Sequence, residues 1–258
     1  MLRFRSLGSG STGNATLVEA SSGGRVTRLL VDCGFGLRHL DKRLARAGLA
    51  ASQVDGIFIT HEHGDHIGCA RALSLRDRIP VWMSEGTWLA TGGHDYEGLL
   101  NLARDGSEIA LGDMALQPFT VPHDAREPLQ LVCSDGARRL GVLTDLGHAT
   151  PYVLARLAGL DALLLECNHD ADLLAQSSYP AFLKLRVGGN YGHLSNAAAA
   201  AIARAVLHGG LRHVVAAHLS EQNNRPEIVR RVLAEALGGA EDEMLTANAA
   251  DGSPWLDV

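Results

Sequence analysis

"THEHGDHIGC", residues 60–69, sets three histidines, a glutamate and an aspartate within the seven positions 60–66. Ionisable side chains crowded this tightly cost free energy unless something binds them. His61 and His63 follow the apolar run "GIFIT" two residues apart, so on an extended segment leaving a sheet they point the same way. Asp65 and His66 come where the next helix begins and can face a second position beside the first. The spacing is not the H-E-x-x-H of helical zinc proteases, because position 65 is Asp. It suits a pair of metal ions, one on His61 and His63 and the other on Asp65 and His66, each needing further ligands. Imidazole and carboxylate donors suit zinc, with manganese or iron as alternatives.

Apolar, strand-like runs elsewhere also end in His or Asp. "LLVD" ends at Asp32, "FTVPH" at His123, "GVLTD" at Asp145 and "VVAAH" at His218. Loops at strand ends are where α/β folds put their chemistry. These endings are expected to converge on one edge of the fold, where His123, His218 and a bridging Asp145 supply the missing ligands.

Around them the chain reads as strands at 3–7, 14–20 and 26–32, then a helix "GLRHLDKRLARAGL" stopping at Gly48. "GIFIT" precedes a helix expected from Asp65 to about Ile79, followed by "VWM". A β-rich stretch covers 107–143 with a turn at "SDGARR". "DALLLE", the helix "SNAAAAAIARAVLHG", the buried strand "HVVAAH" and the closing helix "RPEIVRRVLAEALGG" complete it. No low-complexity linker interrupts, so residues 1–258 are expected to form one α/β sandwich domain with helices on both outer faces.

The composition is that of a globular protein with a sizeable core: 46% hydrophobic, 20% charged and 29 glycines. A net charge of −6 argues against a general nucleic-acid coat, though not against an enzyme that touches nucleic acid locally. The start has no apolar secretory region, and no uncharged apolar run reaches the length of a membrane span. Cys33, Cys69, Cys133 and Cys167 form no C-x-x-C pair and read as buried, reduced thiols. Together these point to a cytoplasmic enzyme.

"THEHGDH" with Asp32, His123, Asp145 and His218 resembles the five-motif signature of the metallo-β-lactamase superfamily, across essentially the whole chain. The resemblance implies a four-layer αβ/βα sandwich, two β-sheets flanked by helices, carrying a binuclear metallohydrolase site. Carried over, His61, His63 and His123 hold the first metal. Asp65, His66 and His218 hold the second, Asp145 bridges, and Asp32 orients the ligand loop without binding metal. Asp145 stands where the commonest true β-lactamases carry Cys, and an all-N/O site suits two metals that clamp a bridging hydroxide and a phosphoryl oxygen together. "LGSGSTGN", "VPHDA", "ECNHD", "YPAFLKLRVGGNYGHLSN" and "AHLSEQNN" are similar to the WalJ/YycJ-type family, which implies a 5′→3′ exonuclease-like phosphodiesterase acting on DNA.

"YGHLSNAAAAA" adds a candidate of its own. Ser195 or Asn196 is a good N-cap, and a helix start offers free N–H groups and a positive dipole end to an anion. Ser195 and Asn196 are therefore expected to bind substrate phosphate. His193 is expected to act with Asp65 in catalysis, His193 as general acid. "GSGSTGN" at 8–14 is a possible backbone nest for an anion. His169 also follows a strand-like run, and Arg3, Arg5, Lys184, Arg186 and Arg225 are the basic residues available to a nucleic-acid backbone. The alternatives are a thioester, lactone or cyclic-phosphodiester hydrolase on the same scaffold, or a non-catalytic metal protein. Only about forty residues follow His218, short for the helical substrate domain of glyoxalase-type hydrolases, and a structural metal site would be closed and sulfur-rich.

Overall fold

The computed structural model describes residues 1–258. Two seven-stranded sheets form the centre. The first contains β1 (Leu2–Gly8), β2 (Ala15–Ser22), β3 (Arg25–Val31), β4 (Gly56–Phe58), β5 (Val81–Met83), β6 (Leu100–Leu102) and the chain-terminal β14 (Leu256–Asp257), in the order β14-β1-β2-β3-β4-β5-β6. The second contains β7 (Ile109–Leu111), β8 (Met114–Thr120), β9 (Leu129–Ser134), β10 (Arg139–Leu143), β11 (Ala162–Glu166), β12 (His213–Ala217) and β13 (Leu245–Thr246), in the order β13-β12-β11-β10-β9-β8-β7.

The period-two alternation of strand side chains sorts residues into separate cores. Leu29, Val31 and Phe58 of the first sheet meet Leu129, Leu131, Val142, Leu164 and Val215 of the second, filling the space between the sheets. Leu30, Ile57 and Val81 face the other way, onto Leu40 and Leu44 of helix Leu37–Arg46 and Leu73 of helix Ala70–Asp77. Leu143, Leu163 and Leu165 likewise face Val153, Ala199, Ile202 and Leu233, contributed by helices Pro151–Arg156, Asn196–Ala205 and Pro226–Leu237. Three cores between four layers give the expected αβ/βα sandwich. No helix is long and apolar enough to cross a membrane.

Strand direction explains why the chemistry gathers on one edge. β3 and β4 are parallel. β10, β11 and β12 are parallel, and β8 runs with them because β9 is antiparallel to both β8 and β10. The carboxyl ends of these strands, or the short loops after them, carry Asp32, His61, His123, Asp145, Glu166 and His218.

Some expectations are corrected. The helix expected from Asp65 to Ile79 is two, Gly64–Ile67 and Ala70–Asp77. They break at Gly68, whose φ is +33° and where a Cβ would stand 2.2 Å from the Cys33 carbonyl oxygen. His61 and His63 lie in the loop beyond β4 rather than on the strand itself. The short edge strands β6, β13 and β14, and the helices Ala171–Gln176 and Ala181–Val187, have too little periodic sequence to announce themselves.

Candidate metal centre

Two donor sets meet across Asp145. In the first, His61 Nε2 lies 3.0 Å from His63 Nδ1, and His63 Nδ1 lies 3.3 Å from His123 Nε2. In the second, Asp65 Oδ2 is 3.5 Å from His66 Nε2 and 3.3 Å from His218 Nε2. Asp145 Oδ2 sits 2.9 Å from His66 Nε2, and its Oδ1 is 3.7 Å from His123 Nε2. Ligands about 2.0–2.1 Å from a tetrahedral ion are roughly 3.3 Å apart, so both triads have the spacing of a metal's coordination shell. Glu62, in the same string, turns away and accepts from the Arg126 backbone N–H at 2.7 Å.

The far nitrogens of four of the five imidazoles are tied down, as metal-binding histidines require, and the fifth, His63 Nε2, faces Asp124 at 3.9 Å. His66 Nδ1 donates to Asp32 Oδ2 at 2.8 Å. The Thr60 hydroxyl donates to Asp32 Oδ1 and stands 3.0 Å from His61 Nδ1. His123 Nδ1 donates to the Gly192 carbonyl at 3.0 Å, and His218 Nδ1 is 3.3 Å from Glu166 Oε1. Once its proton is displaced, each inward nitrogen offers a lone pair. Asp145, 1% exposed, receives no backbone or hydroxyl donor and faces only imidazole nitrogens, His66 Nε2 at 2.9 Å and His193 and His218 Nδ1 at 3.3 Å. A buried carboxylate so placed needs positive charge. The donor set therefore fits two divalent ions.

Electrostatics agree. Burial alone would raise the Asp145 carboxyl, but His218 and His66 hold it well below the ordinary carboxylate range. Burial opposes charge on His66 and His218 too, and the facing carboxylates, Asp145 foremost, overcome it and carry both to about 10. His61, beside other imidazoles, is pushed well below the usual histidine value, first by burial.

The loops are locked by close approach. A Cβ on Gly34 would lie 1.7 Å from the Asp65 carbonyl oxygen, so only glycine lets the two loops touch. In the 8–14 loop Ser11 lines the cleft, while the groups on either side of it serve the site walls. Ser9 Oγ accepts from the His218 N–H at 2.8 Å, Asn14 Oδ1 accepts from the Gly10 N–H at 2.9 Å, and Asn14 N donates to the Asp65 carbonyl at 2.8 Å.

The residue that sequence reasoning missed is Glu166, fully buried at the end of β11. Oε2 accepts from the Leu146 and Leu194 backbone N–H groups at 2.8 and 3.1 Å, and Oε1 accepts from His193 Nδ1 at 2.6 Å. "DALLLE" ends in a carboxylate as "GVLTD" does, so extending the strand-end rule to Glu finds it. Burial disfavours a charged His193, but Glu166 and Asp145 raise its pKa well above the usual imidazole value.

Ser195 and Asn196 do not reach the cleft over the metal sites. Ser195 Oγ caps Ala198 N at 3.2 Å, and the Asn196 amide pairs reciprocally with Asn224 at 2.9 Å. Their polar groups are consumed holding the helix, which corrects their expected substrate role. The cleft itself, about 400 Å³, is lined by His63, Asp65, Asp145, His193 and His218, with Asp124, Arg186 and Asn223 among its walls. Of the basic residues singled out, Arg186 alone lines it, bound through Nε to Asp124 at 2.5 Å. Arg3 instead pairs with Glu19, and Lys184 Nζ donates to the Ala175 carbonyl. His169 is buried outside the lining, its Nδ1 unpartnered.

A four-layer sandwich with this twin His/Asp centre defines a metallo-β-lactamase-type hydrolase. The chain belongs to the beta-lactamase superfamily, whose domain model it matches over residues 27–219, and within it to the family of YycJ- and WalJ-type proteins. It is 33% identical to the exodeoxyribonuclease YycJ of Bacillus anthracis over 92% of this chain and 89% of that protein. It is 31% identical to the exodeoxyribonuclease WalJ of Streptococcus pneumoniae over 93% and 89%. The solved metallo-β-lactamase fold protein YhfI from Bacillus subtilis superposes over all of both chains with a TM-score of 0.76 at 18% identity, which shows the shared fold. The chain is an enzyme of the metal-dependent hydrolase class.

Proposed function

We propose that this enzyme is a binuclear metal-dependent phosphodiesterase that degrades DNA as a 5′→3′ exonuclease. The observation that carries the reading is Asp145, buried between two donor triads with Oδ2 2.9 Å from His66 Nε2 and Oδ1 3.7 Å from His123 Nε2. The names of the YycJ and WalJ relatives favour DNA as the substrate. In this reading His61, His63 and His123 would hold one ion and Asp65, His66 and His218 the other, with Asp145 available to both; zinc suits the donors, with manganese or iron as alternatives. When bound, the two ions supply an acidified water as nucleophile and positive charge for the phosphoryl oxygens.

The protein's own groups do the rest. Asp32 and Thr60 fix the faces of His66 and His61. His193, anchored through Nδ1 by Glu166, keeps Nε2 for the leaving oxygen, and the Glu166 carboxylate raises its pKa, favouring the protonated form that a general acid needs. The four cysteines are free and buried, which suits the reducing cytoplasm.

The test is a substrate panel on the metal-loaded protein: 5′-phosphorylated and 5′-hydroxyl DNA, RNA, bis(p-nitrophenyl) phosphate and thioesters, beside elemental analysis. Two metal equivalents and preferred hydrolysis of DNA are expected. One equivalent, or thioesters as the fastest substrates, overturns the proposal.

A further inference from the structure

Helix Ala181–Val187 forms one wall of the cleft and carries different chemistry on adjoining flanks. Leu183, Arg186 and Val187 line the cleft. Phe182 and Leu185, three residues apart and so neighbours on the helix surface, stand outside it, 72% and 76% exposed. Phe182 is also four residues from Arg186, which puts the ring and the arginine on one strip of the helix. Large apolar side chains left open to water beside a binding cleft mark a contact surface.

The helix is fixed against the centre. His193 N donates to the Val187 carbonyl at 2.8 Å, and a Cβ on Gly192 would stand 2.1 Å from the Arg186 carbonyl oxygen. The same Gly192 accepts from His123 Nδ1, so the helix end is held in register with both the proton donor and the first donor triad. The Arg186 side chain is set as well. Its Nε donates to Asp124 Oδ2 at 2.5 Å, while Asp124 Oδ1 lies 3.6 Å from His123 Nε2 and 3.9 Å from His63 Nε2. One carboxylate thus ties the guanidinium to the edge of the first triad. Neither Nη group of Arg186 has a protein partner, and the side chain is 60% exposed.

These groups select a partner by its chemistry. A tethered guanidinium with both Nη groups free matches the oxygens of a phosphate. An exposed ring and a leucine match a flat apolar surface, as bases offer when a strand is single. A free anion would leave Phe182 and Leu185 uncovered, and an apolar partner would leave the guanidinium without a counter-charge. Single-stranded DNA supplies both features in alternation. Arg186 stands at the rim with Phe182 and Leu185 beyond it, so it meets the part of the strand leading out of the cleft. For an enzyme that removes nucleotides from the 5′ end, that part lies 3′ of the scissile bond.

We propose that helix Ala181–Val187 is the track on which single-stranded DNA leaves the metal centre. Arg186 grips the phosphate 3′ of the scissile one, and Phe182 and Leu185 carry the bases beyond it. The track rests on the phosphodiesterase reading above.

The experiment uses metal-loaded enzyme and 5′-phosphorylated single-stranded DNAs of one sequence. One strand is unmodified, one carries a neutral methylphosphonate at the linkage 3′ of the scissile one, and one carries tetrahydrofuran abasic residues on that side. The readout is kcat/KM for the first cleavage, divided by kcat/KM on bis(p-nitrophenyl) phosphate, which has neither a second phosphate nor a base. Metal content is measured on the same samples. In the wild type the methylphosphonate costs about tenfold or more, the worth of a hydrogen-bonded charge. The abasic residues cost about fivefold or more, the worth of one stacked base. Arg186→Ala loses the methylphosphonate penalty and keeps the abasic one. Phe182→Ser combined with Leu185→Ser does the reverse. Arg186→Lys keeps the charge without the fork, so its methylphosphonate penalty is intermediate, and it serves if the alanine variant loses metal.

A full methylphosphonate penalty in both arginine variants overturns the proposal. So does a loss in Arg186→Ala seen on 5′-phosphorylated but not on 5′-hydroxyl strands, which assigns the guanidinium to the terminal phosphate. A full abasic penalty in the double serine variant overturns the base contact. A wild-type dimer in sedimentation that the double variant converts to monomer overturns it too, and covers the face with a second copy. If the wild type hydrolyses bis(p-nitrophenyl) phosphate yet ignores both modifications, the track alone is refuted. If it hydrolyses neither that ester nor any strand, the phosphodiesterase reading has failed first.

Discussion

Replacing Glu166 by Gln tests the proton donor, with metal content as the control for its 3.3 Å contact to His218. The carboxamide can still accept from Leu146 N and Leu194 N, now 2.8 and 3.1 Å from Oε2, so the two loops keep their anchors. What changes are the contacts of Oε1, 2.6 Å to His193 Nδ1 and 3.3 Å to His218 Nδ1, of which the shorter is the one to the proton donor. An amide nitrogen there donates, so His193 must accept through Nδ1 and the imidazolium loses its main counter-charge. Neutral imidazole is a poor acid. General acid catalysis is worth roughly 10²–10⁴-fold, about 3–5 kcal/mol of barrier, for a departing alkoxide. p-Nitrophenolate departs without a proton, so most of that factor vanishes on the activated ester. The assay is kcat/KM of wild type and Glu166→Gln on 5′-phosphorylated DNA and on bis(p-nitrophenyl) phosphate, with metal content measured on the same samples. The DNA rate should fall at least tenfold further than the ester rate. The basic limb of the DNA pH profile should also move to lower pH, since Glu166 and Asp145 are what raise His193. Equal losses on both substrates at unchanged metal content would refute the acid role.

Other outcomes follow from the same geometry. Asp145→Ala should lose more metal by elemental analysis than His61→Ala or His218→Ala, because only Asp145 stands between both triads. Gly34→Ala should destabilise by about 3 kcal/mol or more in urea melts, since its Cβ would meet backbone 1.7 Å away; a shift under roughly 1 kcal/mol would show the loops are free to part. Metal affinity should climb with pH. Without metal, His66 and His218 titrate at about 10 in the folded chain, above the ordinary 6.5. Their protons therefore stabilise the metal-free form fully below about pH 6.5, and that advantage fades as pH rises through about 10. Metal entering at neutral pH must displace them, so calorimetry in buffers of different ionisation enthalpy should record proton release; no release would contradict the protonated metal-free cluster.

How far the sequence reaches depends on what each residue's signal looks like. Ligands at strand ends were legible because an apolar run ending in His or Asp is a local pattern, and strand direction then gathers the ends without further information. The long strands β1, β2, β3 and β8 to β12 were legible for the same reason. Edge strands of two or three residues, such as β13 and β14, have no period to detect and exist because a neighbour offers hydrogen bonds. The break at Gly68 was hidden because its cause is the Cys33 carbonyl, distant in sequence. Ser195 and Asn196 misled in an instructive way. Their cap chemistry was read correctly, since Ser195 does cap the helix, but whether a helix start faces solvent, substrate or another side chain is a tertiary fact. Here Asn224 occupies the Asn196 amide.

The two halves of the centre are built alike in their backbone. Asp32 follows β3 in one sheet and His218 follows β12 in the other, and each adopts a left-handed conformation, φ 63° and 53°. Neither is glycine, so each stores strain of order 1–3 kcal/mol that the surroundings must offset. The offsets are visible: Asp32 N donates to Phe58 O at 2.8 Å while its carboxylate holds Thr60 and His66, and His218 N donates to Ser9 Oγ while its ring faces Asp65 and Glu166. A left-handed residue turns the chain sharply at the sheet edge, which swings the side chain back over the strand ends instead of on toward solvent. Glycine makes the same turn without strain but supplies no carboxylate or imidazole. The strain is thus tied to having a functional side chain at the turn itself, and it falls on one anchor residue in each sheet.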